Sequence, residues 1–325
     1  MLVYRRRSGW ASRLAATWLC VVVAWGWSFS QDAHQPQSAP ARTQPQTVAP
    51  HTAPTPQEPA PAAPQKQERI VPAGAERHFH AAVAFERDGN AENAIEEYKA
   101  AIREYPDYFL AHYNLGRLYL DRQGYTEAIA ELKAAVDLRP EDANAHNNLG
   151  MALKHNRDLN GALVEYQEAV RLNPKMATAQ NNLANVLYLK RDFAGAVQHY
   201  RAALALQPNS AETHMNLGSV LDDAGKPDDA IAEYKEALRL QPKNASAHYN
   251  LSIVYQKKKD MPAAITELRH AEKLSPDWPT PHIMLTNLLK DSDPKAALDE
   301  CVVADGLSND AKLHNLCTEL QKKAR

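Results

Sequence analysis

Proline recurs in this chain at one fixed interval: Pro106, Pro140, Pro174, Pro208, Pro242 and Pro276 are each 34 residues apart. A residue that removes a backbone donor and ends helices is spaced this regularly when each interval builds the same unit. Placing these prolines at position 32 starts the units at Ala75, Phe109, Ala143, Ala177, Ala211 and Ala245, and further columns then fall into register. Position 7 reads Ala81, Leu115, Leu149, Leu183, Leu217 and Leu251, and position 8 is always small: Ala82, Gly116, Gly150, Ala184, Gly218 and Ser252. Alanine holds positions 20 and 27 in all six units, from Ala94 and Ala101 to Ala264 and Ala271; position 24 is Tyr98, Leu132, Tyr166, Tyr200, Tyr234 and Leu268. Positions 4, 7, 8 and 11 make one helical stripe and positions 20, 24 and 27 a second, so each unit reads as a helical hairpin. Small residues at 8 and 20 let its two helices approach closely, and bulky ones at 7, 11 and 24 fill the space between hairpins.

These columns resemble the tetratricopeptide-repeat family, whose pattern has a large residue at 4, Leu at 7, Gly or Ala at 8, Ala at 20, an aromatic at 24, Ala at 27 and Pro at 32. The resemblance covers residues 75–278 and implies an all-α, right-handed solenoid whose concave groove holds a segment of another protein. A seventh, degenerate unit is expected from Pro279, where Ala297 and Ala304 fall one residue early and mark a one-residue deletion. Leu313, Leu316 and Leu320 then share one face of a terminal cap helix, completing a region 279–325; arrays need such a cap because each unit contacts only its neighbours.

The N-terminal stretch has a different chemistry. Arg5, Arg6, Arg7 and Arg13 precede an apolar run from Leu14 to Trp27, followed by small residues around Ser28 and Ser30. Residues 1–30 read as a secretory signal, with an uncleaved membrane anchor as the alternative; either way the remainder is exported to the periplasm or beyond the cell. Residues 31–74 carry ten of the chain's 21 prolines among Ala, Gln and Thr, which predicts an extended tether without a core. Net charge is -2, with 37 basic against 39 acidic side chains, so no broad positive field exists to attract nucleic acid.

Two polar columns run along the repeats. Histidine recurs at position 4 as His78, His112, His146, His214, His248 and His282, with Gln180 in the fourth unit. Ions shared between neighbouring repeats are excluded by spacing, since ligands converge within about 2.1 Å of a metal whereas packed helices lie roughly 8–10 Å apart. The imidazoles are therefore expected to serve structure, in place of the usual aromatic. Asparagine recurs at position 6 as Asn114, Asn148, Asn182, Asn216 and Asn250, on the helix face expected to line the groove. A carboxamide pairs with both N–H and C=O of an extended backbone, and a rise of about 10 Å per repeat matches three extended residues at about 3.3 Å each. A purely local structural role is the alternative. The runs His112–Gly116 and Asn147–Gly150 are similar to the repeat domain of O-linked N-acetylglucosamine transferase, in which such a ladder holds peptide backbone; the likeness is confined to the repeats and implies no sugar transfer. Tyr113, Met215 and Tyr249 at position 5, with Tyr188, offer side-chain pockets on a neutral face.

Cys301 and Cys317 remain after signal removal, and an exported pair invites a disulfide worth about 3 kcal/mol for a loop of this size, two free thiols being the alternative. The chain carries no phosphate-binding glycine loop, nucleophile elbow, His-Glu-x-x-His or Cys-x-x-Cys. It is accordingly expected to be a non-enzymatic scaffold, without cofactor or metal, that binds protein or peptide segments. The other reading is a self-assembling structural component of a cell-envelope complex, a homo-oligomer touching membrane only through an uncleaved N-terminus.

Overall fold

The computed structural model describes residues 70–308 and 310–323, which fall within one compact unit, Lys66–Arg325. The export signal and all but the last residues of the tether lie outside the described residues. Fifteen helices occur among them, and no strand. They pair as hairpins: α1 (Ala73–Arg87) with α2 (Ala91–Glu104), α3 (Phe109–Asp121) with α4 (Tyr125–Leu138), α5 (Ala143–His155) with α6 (Leu159–Leu172), and α7 (Ala177–Leu189) with α8 (Phe193–Leu206). The series continues with α9 (Ala211–Asp223) and α10 (Pro227–Leu240), α11 (Ala245–Lys257) and α12 (Met261–Leu274), and α13 (Pro279–Leu289) and α14 (Pro294–Leu307), ending in α15 (Ala311–Lys323). The first helix of each hairpin is called A here and the second B.

Each hairpin also packs on the next, B helix against the following A helix. The A helices touch one another as well, α3 with α5, α5 with α7, α7 with α9 and α9 with α11, which puts them on the inner side of the stack. The alanines of positions 20 and 27 and the Tyr or Leu of position 24 are buried in all six units. The close approach has a measurable basis: a Cβ added to Gly116 would lie 2.6 Å from Leu132, and one added to Gly150 would lie 2.9 Å from the Tyr166 ring. Position 8 is small because position 24 of the same hairpin already occupies that space.

The turn from A to B needs one residue in the left-handed region, at position 15. Gly89 and Gly225 supply it at φ 73°, but Gln123, Arg157, Arg191 and Lys259 adopt φ of 62–67° with a side chain. Such a residue costs on the order of 1 kcal/mol or more, and the chain accepts that cost because the reversed backbone lets the next residue's N–H bond back into the A helix, as Asp158 does to Leu153 O at 2.9 Å. B helices then start on side-chain caps: Asn90, Asp158, Asp192, Asp260 and Asp293 each accept a backbone N–H. The seventh unit's missing residue falls in this turn. Its B helix starts at the sixteenth residue rather than the seventeenth, α13 is two residues shorter than α11, and the described turn residues include none at positive φ.

At the C-terminal end α15 packs on α14, burying Leu313, Cys317 and Leu320 against Ala304 and Leu285. The Sγ atoms of Cys301 and Cys317 are 2.09 Å apart, a bond joining these last two helices.

Candidate functional site

The inner face is built by the A helices. Asn114, Asn148, Asn182, Asn216 and Asn250 all follow a fully or nearly buried helix register through Leu115, Leu149, Leu183, Leu217 and Leu251, and each is itself half-buried. Tyr113, Met215 and Tyr249 are half-buried beside them. Three of the five asparagines are tied to the preceding repeat: Asn114 is hydrogen-bonded to the Tyr98 hydroxyl, Asn148 Nδ2 donates to the Tyr113 hydroxyl at 3.0 Å, and Asn182 Nδ2 donates to Asn147 Oδ1 at 3.0 Å. Position 6 of one repeat thus reaches position 5 of the repeat before, which proves their adjacency on one face. It also divides the column. Asn114, Asn148 and Asn182 spend a side-chain bond on the stack, whereas Asn216 and Asn250 have no side-chain partner among the described residues.

The far end of the A helices is charged and internally paired. Tyr188 donates to Asp223 Oδ2 at 2.7 Å, Lys257 Nζ lies 2.6 Å from Asp222, and Arg117 is paired with Glu86. Lys154 is half-buried, and burial holds its ammonium below the usual lysine range with only Glu212 acting against the shift. Beside it the His155 ring stacks on Tyr125 at 5.1 Å, its basicity reduced first by burial and then by Lys154. Tyr249 contacts Trp278 at 4.8 Å between ring centres, so its ring also braces the next hairpin.

The histidine column is not an aromatic filler. In every hairpin that has it, the ring bridges the two helices: Nδ1 lies 2.6 Å from the position-23 carboxylate in His78–Glu97, His112–Glu131, His146–Glu165, His214–Glu233 and His248–Glu267, and 2.7 Å in His282–Glu300. In five of the six, Nε2 also points at the carbonyl of the preceding repeat's position-32 proline, from 2.9 Å at Pro106 to 3.3 Å at Pro242. One side chain therefore clamps its own hairpin and the incoming turn. The fourth repeat keeps both bonds with exchanged groups: Gln180 Nε2 donates to Pro174 O at 3.1 Å, and its Oε1 accepts from His199 Nδ1 at 2.7 Å. The sequence signal was present, since Glu stands at position 23 wherever His stands at 4 and His199 stands there opposite Gln180; reading single columns hid a pairing that spans 19 residues.

An imidazole between two acceptors makes both bonds only when doubly protonated. At His112 burial opposes the charge, but Glu131, the Pro106 carbonyl and Asp107 outweigh it and hold the pKa above its ordinary value. At His199 burial prevails, Asp192 offsetting it only in part, because the partner amide carries no charge, and the pKa falls. The signs follow for stability. The raised group at His112 stabilises fully below the unfolded value of about 6.5 and loses that contribution as pH rises through its folded pKa. The lowered groups at His155 and His199 stabilise above about 6.5 and withdraw it as pH falls. Ring titration by NMR is expected to find His112 above, and His155 and His199 below, this unfolded value; His112 titrating alongside His199 would contradict the assignment.

Among the described residues no helix is long and apolar enough to cross a membrane. Family models described as tetratricopeptide repeat match residues 65–109 and 215–279, 97–130, and 175–243, and one described as TPR repeat matches 116–156 and 158–190. None of the curated proteins matches the chain significantly. Among solved structures, a tetratricopeptide repeat protein from Parabacteroides merdae aligns with TM-score 0.58 and 15% identity over 76% of this chain and 99% of that one. PilF of Pseudomonas aeruginosa aligns at 0.56 and 22% over 66% and 97%, and a MamA protein at 0.50 and 24% over 53% and 94%. At these identities the likeness is one of fold.

Proposed function

Because the chain belongs to the tetratricopeptide-repeat family, we propose that it is an exported scaffold which holds an extended segment of a partner protein along the inner face of its A helices. The observation that carries this reading is the half-buried asparagine column, in which Asn216 and Asn250 present unspent carboxamides one repeat apart. A carboxamide reads backbone rather than side chains, so affinity comes from chain conformation and specificity from the rings and thioether of Tyr113, Tyr249 and Met215. Catalysis is not part of the proposal; several polar groups of this face pair with one another, as Tyr188–Asp223, Lys257–Asp222 and Arg117–Glu86. Export is supported by the Arg-led apolar run of residues 5–27 and by the Cys301–Cys317 bond, which an oxidising compartment maintains.

The test uses peptides selected from a random library against the full chain. The pair Asn216→Ala and Asn250→Ala, which breaks no internal side-chain bond, is expected to weaken their binding by roughly 30-fold, two hydrogen bonds at about 1 kcal/mol each. Asn148→Ala and Asn182→Ala also remove contacts between repeats, so they are the less clean choice. Unchanged affinity in the Asn216/Asn250 double variant, with an unchanged melting curve, sinks the backbone-holding role.

A further inference from the structure

We propose that the sixth hairpin binds a divalent cation of the zinc class through His248, Glu267 and His270. This site is independent of the groove. The spacing argument against metal excludes ligands shared between repeats, but here all three come from one hairpin: His248 from α11, and Glu267 and His270 three residues apart on adjacent turns of α12. Their ligand atoms lie within 4.8 Å of one another. The two rings meet edge to face with centres 4.9 Å apart, and His270 Nδ1 is 3.8 Å from Glu267 Oε2. Ligands at about 2.1 Å around a tetrahedral ion sit about 3.4 Å from each other, so His270 closes on Glu267 by a few tenths of an ångström while the 2.6 Å contact of His248 with Glu267 opens by somewhat more.

The six other hairpins act as internal controls. Position 26 is Ala100, Ala134, Glu168, Ala202 and Glu236 in the first five, and the deletion puts Val303 there in the seventh, so only the sixth sets a second imidazole beside the clamp. The supporting contact is also in place: Nε2 of His248 faces the Pro242 carbonyl at 3.3 Å, which fixes the ring with Nδ1 turned toward Glu267 as the coordinating nitrogen. His270 is exposed, giving the ion an entry path and water a fourth position. A second group, Glu272, His282 and Glu300, is as compact but already holds a cation, because the Arg269 guanidinium is bonded to both carboxylates.

Coordination replaces the hydrogen bond between His248 and Glu267, its proton passing to solvent. Titrating zinc chloride into the full chain, followed by a competing chromophoric chelator, is expected to show a micromolar site that His270→Ala weakens at least tenfold without moving the metal-free melting curve. Glu236→His places the same three groups on the fifth hairpin beside His214 and Glu233, and is expected to add one equivalent. Wild-type and His270→Ala proteins with equal zinc affinity, or no added equivalent in Glu236→His, would overturn the proposal.

Discussion

Tyr200→Ala is expected to cost about 3–5 kcal/mol and to split the unfolding transition into two. The ring is 1% exposed and sits in the apolar cluster formed by Ala184 and Ala196 of its own hairpin with Leu217, Val220 and Leu221 of the next. Removing it opens a cavity at the junction of the fourth and fifth repeats. In a stack where stability is a sum of units and nearest-neighbour interfaces, a void at the centre uncouples the two halves, while the same loss at an end only frays one hairpin. Calorimetry checks this directly: a single sharp transition displaced by less than about 1 kcal/mol would refute it.

The hydroxyls of these rings separate by partner. Tyr98 donates to Glu86 at 2.9 Å, Tyr234 and Ser219 share a bond at 2.9 Å, and Tyr200 donates to Asn185, whereas the buried Tyr166 hydroxyl has no partner among the described residues because Met151 stands where Asn185 and Ser219 do. Tyr166→Phe therefore removes a desolvation penalty and is expected to be neutral or stabilising, while Tyr98→Phe loses about 1–2 kcal/mol.

A double-mutant cycle at His146 and Glu165 is expected to show strong compensation. His146 is 7% exposed and is held by Glu165 at 2.6 Å and Pro140 O at 3.0 Å. His146→Gln keeps the proline bond through its N–H but turns an amide oxygen toward a carboxylate, two acceptors facing each other, for a loss of about 2–3 kcal/mol. Glu165→His alone sets two imidazoles in contact. Together the changes reproduce the Gln180–His199 arrangement that the fourth repeat already uses, so most of the single-variant loss should return as a coupling of about 2 kcal/mol. Additive single effects in urea denaturation would show that the clamp is not a unit.

Much of this protein is written in one dimension. The period of 34, the small residue at 8, the alanines at 20 and 27 and the proline at 32 determined helical hairpins and their stacking, because a helix pair with one apolar side has no other way to shield it than against the next pair. The asparagine column was visible for the same reason, since a repeat writes its inner face at fixed positions. The seventh unit's deletion was legible as a frame shift, and only the structure located it in a turn. What tertiary structure alone decided are the relations between columns: that the histidines clamp a carboxylate and a proline carbonyl instead of filling space, that Asn148 and Asn182 are partly spent on the preceding repeat, and that His270 completes a triad in one hairpin only. The carboxylate clamps and the asparagine ties depend on two side chains approaching within about 3 Å across 19 to 35 residues of chain, and periodicity fixes which face a residue occupies but not which atoms meet there.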